Sequence, residues 1–391
     1  MRKGVLKQKI TTTLYRFLES ESAGGIAIVL SAIFALLLAN SAAGPFYESF
    51  IHYKLSGLSV EHWVNDGLMA IFFLLIGLEL KREILIGELS DIRKAALPLV
   101  AALGGVIVPA FIHFALNAGS YTQRGMGIPM ATDIAFALGI LSLAGNRVPA
   151  SLKVFLTALA VIDDLFAIIV IAVFYTDNLV PLFLMGAVAI FIALLALNFV
   201  FRVKNIFPYI GLGLILWWMM LNSGIHATIA GVLLALTIPF SDSEAEENSP
   251  SHKLENYLHQ PVAFIIVPIF ALINSGVVIG CDAIGSLSQP NSLGIALGLI
   301  LGKPIGIFTA TFAFVRLKLG MLADEVTFKH ILGAGMMGGI GFTMSIFITN
   351  LAFPGDADLI NSSKMSILAG SLISAIAGYS WLVFIGRSQN N

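Results

Sequence analysis

Apolar stretches of roughly 15 to 27 residues recur twelve times along this chain, most of them about the length an α-helix needs to cross a bilayer core. They run over residues 23–40, 63–85, 95–116, 125–145, 150–175, 180–201, 207–221, 225–240, 257–279, 292–315, 331–353 and 359–385. In hydrocarbon every backbone polar group must be satisfied within the segment, so these stretches specify helices. Composition agrees: 58% of the 391 residues are hydrophobic, 12% are charged, and mean hydropathy is +0.92, unlike a soluble domain. The predicted fold class is therefore an all-α polytopic membrane protein of about twelve transmembrane helices, with residues 1–391 as a single transmembrane domain because no linker-like boundary interrupts them. The first stretch, with basic residues before it and "LANSAAG" after it, has signal-peptide character. Eleven further stretches make it an uncleaved anchor instead.

Lysine and arginine in the connections set the orientation. With the N-terminus in the cytoplasm, eighteen fall on the cytoplasmic side and three on the other, namely Lys54, Arg124 and Lys364, while Lys303 lies inside a stretch. Both termini are predicted to be cytoplasmic. With 22 basic and 23 acidic residues and no basic stripe, the partner is the lipid bilayer and not nucleic acid. A single cysteine, Cys281, with no CxxC or Cys/His cluster, supports neither a disulfide nor a zinc site and reads as small apolar filler. Two connections are long. "GPFYESFIHYKLSGLSVEHW" is either a short hairpin turning at Ser56-Gly57 or a disordered loop, and "SDSEAEENSPSHKLENYLHQ" reads as a solvated acidic loop.

Four ionisable residues stand at mid-span: Asp163 and Asp164 in "LTALAVIDDLFAIIVIAVFY", Asp133 in "GIPMATDIAFAL", and Lys303 in "GLILGKPIGIF". Each costs roughly 2.5 to 3.5 kcal/mol if it is lipid-facing and unpaired, so the four must face one another or a water-filled cavity. A purely structural ion pair accounts for Lys303 and one aspartate and leaves two carboxylates over. Adjacent helical positions point about 100° apart, so Asp163 and Asp164 are expected to differ in role, one turning to Lys303 and the other to a cavity. Different surroundings separate their proton affinities. Ionised carboxylates with backbone carbonyls and water also form the hard oxygen shell that sodium or lithium prefers, so proton and cation would compete for one site.

The fourth and eleventh stretches look broken by glycine and proline. Their centres, "GIPMATDI" at 127–134 and "GIGFTMSI" at 339–346, share glycine and isoleucine at the start and isoleucine at the end in one register. By the charge-derived topology they cross in opposite directions, as an inverted repeat requires, and paired interruptions point to a transport site at the midplane. Broken helices expose partial charges of about half a unit at their ends, which Asp133 and Lys303 can offset.

On "ATDIAFALG", "AVIDDLFAI", "GIHATIAGV", "FALINSGV", "GLILGKPIGI" and "GIGFTMSIFI", the chain resembles the NhaA-type sodium/proton antiporters along nearly its whole length. The resemblance implies twelve helices, an inverted repeat of spans 3–5 and 10–12, and crossing discontinuous helices at spans 4 and 11. It implies a bacterial inner-membrane homodimer that is a transporter and not an enzyme. Such a protein exports sodium or lithium for a larger number of protons, regulates cytoplasmic pH and sodium, and needs no resident cofactor. It places Asp164 and Asp163 at the cation- and proton-binding pair, with Thr132 and Asp133 beside them and Lys303 paired to Asp163. It assigns the pH response to Glu79, Arg82, Glu83, Glu255 and His259. Asn256 departs from the pattern, standing where relatives often carry histidine, which removes a titrating group there.

His226 has a side chain suited to pH sensing but fits a hydrogen-bonded structural role better. His113 and His62 read as interfacial, Asp66 as a vestibule residue, and the 28 phenylalanines as lipid-facing bulk. An intramembrane aspartyl protease would need two aspartates on separate helices and a GxGD context, which is absent from the sequence, and has no use for Lys303. A sodium-coupled organic anion symporter would need a roomy substrate cavity.

Overall fold

The computed structural model describes residues 21–87, 89–176, 179–241, 249–280, 283–323 and 325–389. The basic N-terminal segment, Cys281 and residues 242–248 of the acidic loop lie outside them. Helix α1 (Glu21–Ala39) turns by 115° into α2 (Gly44–Ile51), whose Pro45 sits in the first turn. A two-stranded hairpin follows, Lys54–Leu55 paired antiparallel with Leu58–Ser59. Its turn residues Ser56 and Gly57 both have positive φ, 54° and 93°, the twist that a tight hairpin demands. Of the two sequence readings, the hairpin is the one that forms.

A continuous helix, α3, spans residues 60–85 and is widened to π geometry over Trp63–Leu68. The Trp217 indole donates to the Asp66 carbonyl at 2.8 Å and its ring stacks near Trp63. Next come α4 (Ile92–Asn117), the 3-10 segment Tyr121–Met130, α5 (Ile134–Leu143), α6 (Ala150–Phe174), α7 (Pro181–Phe199), α8 (Phe207–Leu221) and α9 (Ile229–Thr237). The second half holds α10 (Pro250–Asn274), α11 (Ala283–Leu287), α12 (Pro290–Arg316), α13 (Phe328–Gly338), α14 (Phe342–Ala352) and α15 (Ala357–Gln389).

Among the described residues six helices, α4, α6, α7, α10, α12 and α15, are long and apolar enough to cross a membrane, and nine spans result if each of three bent pairs counts as one. Of the remaining expected stretches, 63–85 lies within α3, whose regular α part is Met69–Leu85, and the other two are short helices, with 15 residues in Phe207–Leu221 and 9 in Ile229–Thr237. The Lys81 ammonium donates to the carbonyls of Leu236, at 3.0 Å, and Ile238, closing the C-terminal end of α9 where a helix favours a cation.

Three expectations need correction. The acidic connection is not a loop as far as residue 256: α10 begins at Pro250, with the Ser249 hydroxyl accepting from the His252 amide. Lys364, counted among the connections, lies within α15 and is only 9% exposed. The phenylalanines divide: Phe111 and Phe207 are exposed, whereas Phe73, Phe270, Phe347 and Phe353 are buried in the interior.

Candidate functional site

The site is built around two breaks in regular structure. The chain leaves its 3-10 segment at Met130 and re-forms a helix at Ile134, a bend of 42°, while α13 and α14 meet at a 48° bend across residues 339–341. Residues 131–133 are extended. The breaks touch: the Asp133 amide donates to the Ile340 carbonyl at 2.7 Å, and the Ser345 hydroxyl donates to the Ile128 carbonyl at 2.7 Å. In the register of the two glycine-isoleucine motifs, Asp133 corresponds to Ser345 and Ile128 to Ile340.

Interrupting a helix leaves amides at the new N-terminus without carbonyl partners. One carboxylate serves both breaks. Asp133 Oδ1 accepts from the Phe136 amide at 3.0 Å, while Oδ2 accepts from the Thr343 amide at 3.1 Å and the Thr343 hydroxyl at 2.5 Å. A negative charge between two helix N-termini is favourable both as a cap and against their dipoles.

Lys303 arrives from α12. Pro304 cannot supply a helix amide, and the turns just before it are widened to π geometry over Gly298–Gly302. At Gly104 and Gly306, α4 and α12 approach so closely that a Cβ on either would overlap the other's carbonyl oxygen. The Lys303 ammonium is thereby held in the interior, paired with Asp163 Oδ2 and donating to Thr132 Oγ1 at 3.0 Å. The single Thr132 hydroxyl proton can go to Asp163 Oδ2, at 2.6 Å, or to the Gly338 carbonyl, at 2.8 Å. No residue of this trio is more than 1% exposed, so each charge depends on the other for compensation.

Asp164, one position along, has a different setting. It lines a cavity of about 370 Å³ together with Thr132, Asp133 and Thr343, whereas Asp163 and Lys303 do not line it. Its Oδ1 is buried and accepts no hydrogen bond. At the other end the cavity is lined by Glu79, Arg82, Glu83 and His259. Arg82 Nε reaches Glu255 Oε1 at 2.8 Å and its Nη2 reaches Glu83 Oε1 at 3.3 Å, so the five expected pH-response residues gather at one mouth.

Opposite that mouth the cavity meets aromatic rings. Phe72 lines it, and behind stand Phe73, Phe270 and Phe347, with Phe347 centred 5.5 Å from Phe73 and 6.3 Å from Phe270. These rings contribute no hydrogen-bonding group.

Among the remaining candidates, His226 Nε2 contacts the Tyr175 carbonyl at 2.8 Å and lies outside the cavity lining, as does the half-buried Asp66. His113 is not interfacial. It is fully buried, its Nε2 lying 3.1 Å from Asn291 Oδ1, because α4 turns it inward against α12. Sequence reasoning overlooked Thr343 and Ser345, whose signal was their place inside "GIGFTMSI".

The sequence profile of the Na+/H+ antiporter 1 family matches residues 15–382. The chain belongs to that family. It is 57% identical to the Na(+)/H(+) antiporter NhaA of Dechloromonas aromatica, over 98% of each chain. It is 53% identical to Na(+)/H(+) antiporter NhaA 1 of Flavobacterium johnsoniae, over 98% of this chain and all of that one, and 50% identical to the Na(+)/H(+) antiporter NhaA of Mesorhizobium japonicum, over 95% of each. Membership makes this a transporter family protein, and the membrane-length helices agree with it.

Proposed function

We propose that this protein exchanges sodium or lithium for protons across a bacterial inner membrane, by competition of cation and proton for Asp164. The observation that carries the reading is the division of labour between neighbours: Asp163 Oδ2 is committed to Lys303 and Asp163 is kept off the cavity, while Asp164 lines it. A carboxylate in that position can hold a proton or, once ionised, neutralise a bound cation.

Among the described residues no three His, Cys, Asp or Glu side chains converge as a metal site. The shell around the ion therefore draws on Asp164, the Thr132 hydroxyl, backbone carbonyls exposed at the breaks, and water, with Asp163 joining when its pair opens. Hard oxygen ligands suit sodium and lithium. Charge counting then bears on stoichiometry. Exchange of one proton for one sodium at Asp164 moves no net charge, so electrogenic exchange needs a second proton, and the Asp163–Lys303 pair is the nearest group able to take it.

In this reading the Glu79 mouth faces the cytoplasm, as do both termini, and Glu79, Arg82, Glu83, Glu255 and His259 adjust the response to pH. The chain works as a single transporter domain of twelve spans, with spans 3–5 and 10–12 forming an inverted repeat, and it pairs as a homodimer. Alternating access moves the meeting point of the two breaks between the faces.

The test uses everted vesicles with a preformed acid interior. Adding sodium or lithium chloride should draw protons out, and potassium or choline chloride should not. Equal responses to sodium and potassium, or none to sodium, would overturn the proposal.

A further inference from the structure

Three of the elements that wall the Asp164 cavity share a seam that continues past it. From α3 come Phe72, Leu75 and Ile76, from α10 Val267, and from α14 Thr343 and Met344. Packed behind these lining residues are the buried rings of Phe73, beside Phe72 on α3, Phe270, one turn past Val267 on α10, and Phe347, one turn past Met344 on α14. Farther along the same three helices, by one turn on α10 and α14 and by two on α3, comes a layer of amides. Asn350 Nδ2 donates to Asn274 Oδ1 at 2.7 Å, and Asn274 Nδ2 donates in turn to Asn65 Oδ1 at 2.8 Å. Each helix thus supplies one phenylalanine and, nearer the opposite face, one asparagine.

An amide chain is an odd filler for a helix seam in an apolar protein, where leucine would pack without needing partners. This chain is also incomplete. Asn350 Oδ1 is buried and accepts no hydrogen bond, and neither does the buried hydroxyl of Ser275, beside Asn274. Asn274 is fully buried, whereas Asn65 and Asn350 are half-buried. Neutral side-chain oxygens with spare acceptor capacity are the groups that replace water around a small hard cation without trapping it.

We infer that Asn65, Asn274 and Asn350 form a transient binding layer for the dehydrating sodium ion on the outer limb of its route. In the closed seam the amides satisfy one another. When α14 separates from α3 and α10, the hydrogen bonds between them part and the freed carbonyl oxygens face the passing ion. The layer lowers the barrier between Asp164 and the outer solution and leaves affinity at Asp164 itself unchanged. The inference rests on the antiport reading and adds a second site to it.

Radiosodium uptake in right-side-out and in everted vesicles, which present the outer and the cytoplasmic face respectively, tests it with the full-length protein. Asn350→Leu removes the oxygen at similar size, and Asn350→Ala, read in parallel, removes it with less bulk. With sodium at the outer face, the half-saturating concentration should rise about fivefold in both variants, as expected for loss of one ion contact. With sodium at the cytoplasmic face, the maximal rate should fall because release is slowed, while the half-saturating concentration should not rise. Asn350→Asp, which keeps acceptor oxygen in place, should hold the outer half-saturation at its original value. A rise of half-saturation at both faces, or unchanged kinetics at both, would overturn the layer while leaving Asp164 as the exchange site. Failure of the unaltered protein to exchange sodium for protons would instead overturn the antiport reading.

Discussion

The backbone amide of Asp133 donates to the carbonyl oxygen of Ile340 at 2.7 Å, so the two interrupted segments are joined at their unwound centres. The same residue's carboxylate accepts from Phe136 and Thr343, at the start of the helix beyond each break. Asp133→Ala keeps the backbone bond and loses both caps. Each cap is worth about 0.5–2 kcal/mol, so a lower thermal midpoint in detergent and weaker exchange are expected. Asp133→Asn retains one acceptor oxygen and should lose less. Equal losses in the two variants would show that capping is not what Asp133 contributes.

Asp164→Asn should abolish sodium-driven proton movement while leaving the protein in the membrane, since an amide neither releases a proton nor neutralises a bound cation. The measurement is pH inside everted vesicles, with protein content checked by immunoblot. Persistent exchange would remove Asp164 from the site.

Lys303→Ala leaves the Asp163 carboxylate buried without its cation. Breaking a buried pair from one side costs about 3–5 kcal/mol, so both stability and exchange should fall. Lys303→Arg keeps the charge and should preserve part of each. An Ala variant as stable and active as the original would contradict the observed pairing.

If sodium binds only to ionised Asp164, then below that carboxylate's pKa each pH unit lost leaves about tenfold fewer competent sites. Half-saturating sodium should therefore rise steeply from pH 8.5 to 6.5 in reconstituted protein, with maximal turnover changing much less. A sensor at Glu79, Glu83 and Glu255 acting alone would lower turnover at acid pH and leave half-saturation flat. A flat profile would end the competition mechanism.

The helical architecture was legible because lipid forces the chain to write its spans as long apolar runs. The central charges were legible for a related reason: a carboxylate or ammonium in such a run has to be compensated. The surplus of acids over Lys303 could show that one aspartate pairs with it and another does not, but that Asp163 is the partner came from the family resemblance. The reciprocal stitching of Asp133 with Ile340 and Ser345 with Ile128 was visible only as a faint shared register, since hydrogen bonds to backbone carbonyls leave no residue signature on the accepting side. His113 was misread because an interfacial and an inward-facing histidine look alike until the rotation of α4 is known. The amide layer was hidden for a similar reason. Its members are separated by more than 200 residues between Asn65 and Asn274, and they meet only through the packing of α3 and α10.

The ring layer of Phe73, Phe270 and Phe347 has an energetic consequence for the cell. A protein that handles protons at mid-membrane risks short-circuiting the gradient that it draws on, because a continuous file of water conducts protons far faster than any carrier turns over. The cavity runs from the Glu79 mouth to Asp164, but the rings offer no hydroxyl, amide or carboxylate by which a proton could hop onward. On the proposed mechanism, a proton that reaches Asp164 while they are closed can leave only as it came or by travelling with the conformational change. If Asp164 is the exchange site, the aromatic layer makes the carrier an insulator between turnovers, and its tightness sets how much of the stored gradient is spent on moving sodium and how much leaks away as heat.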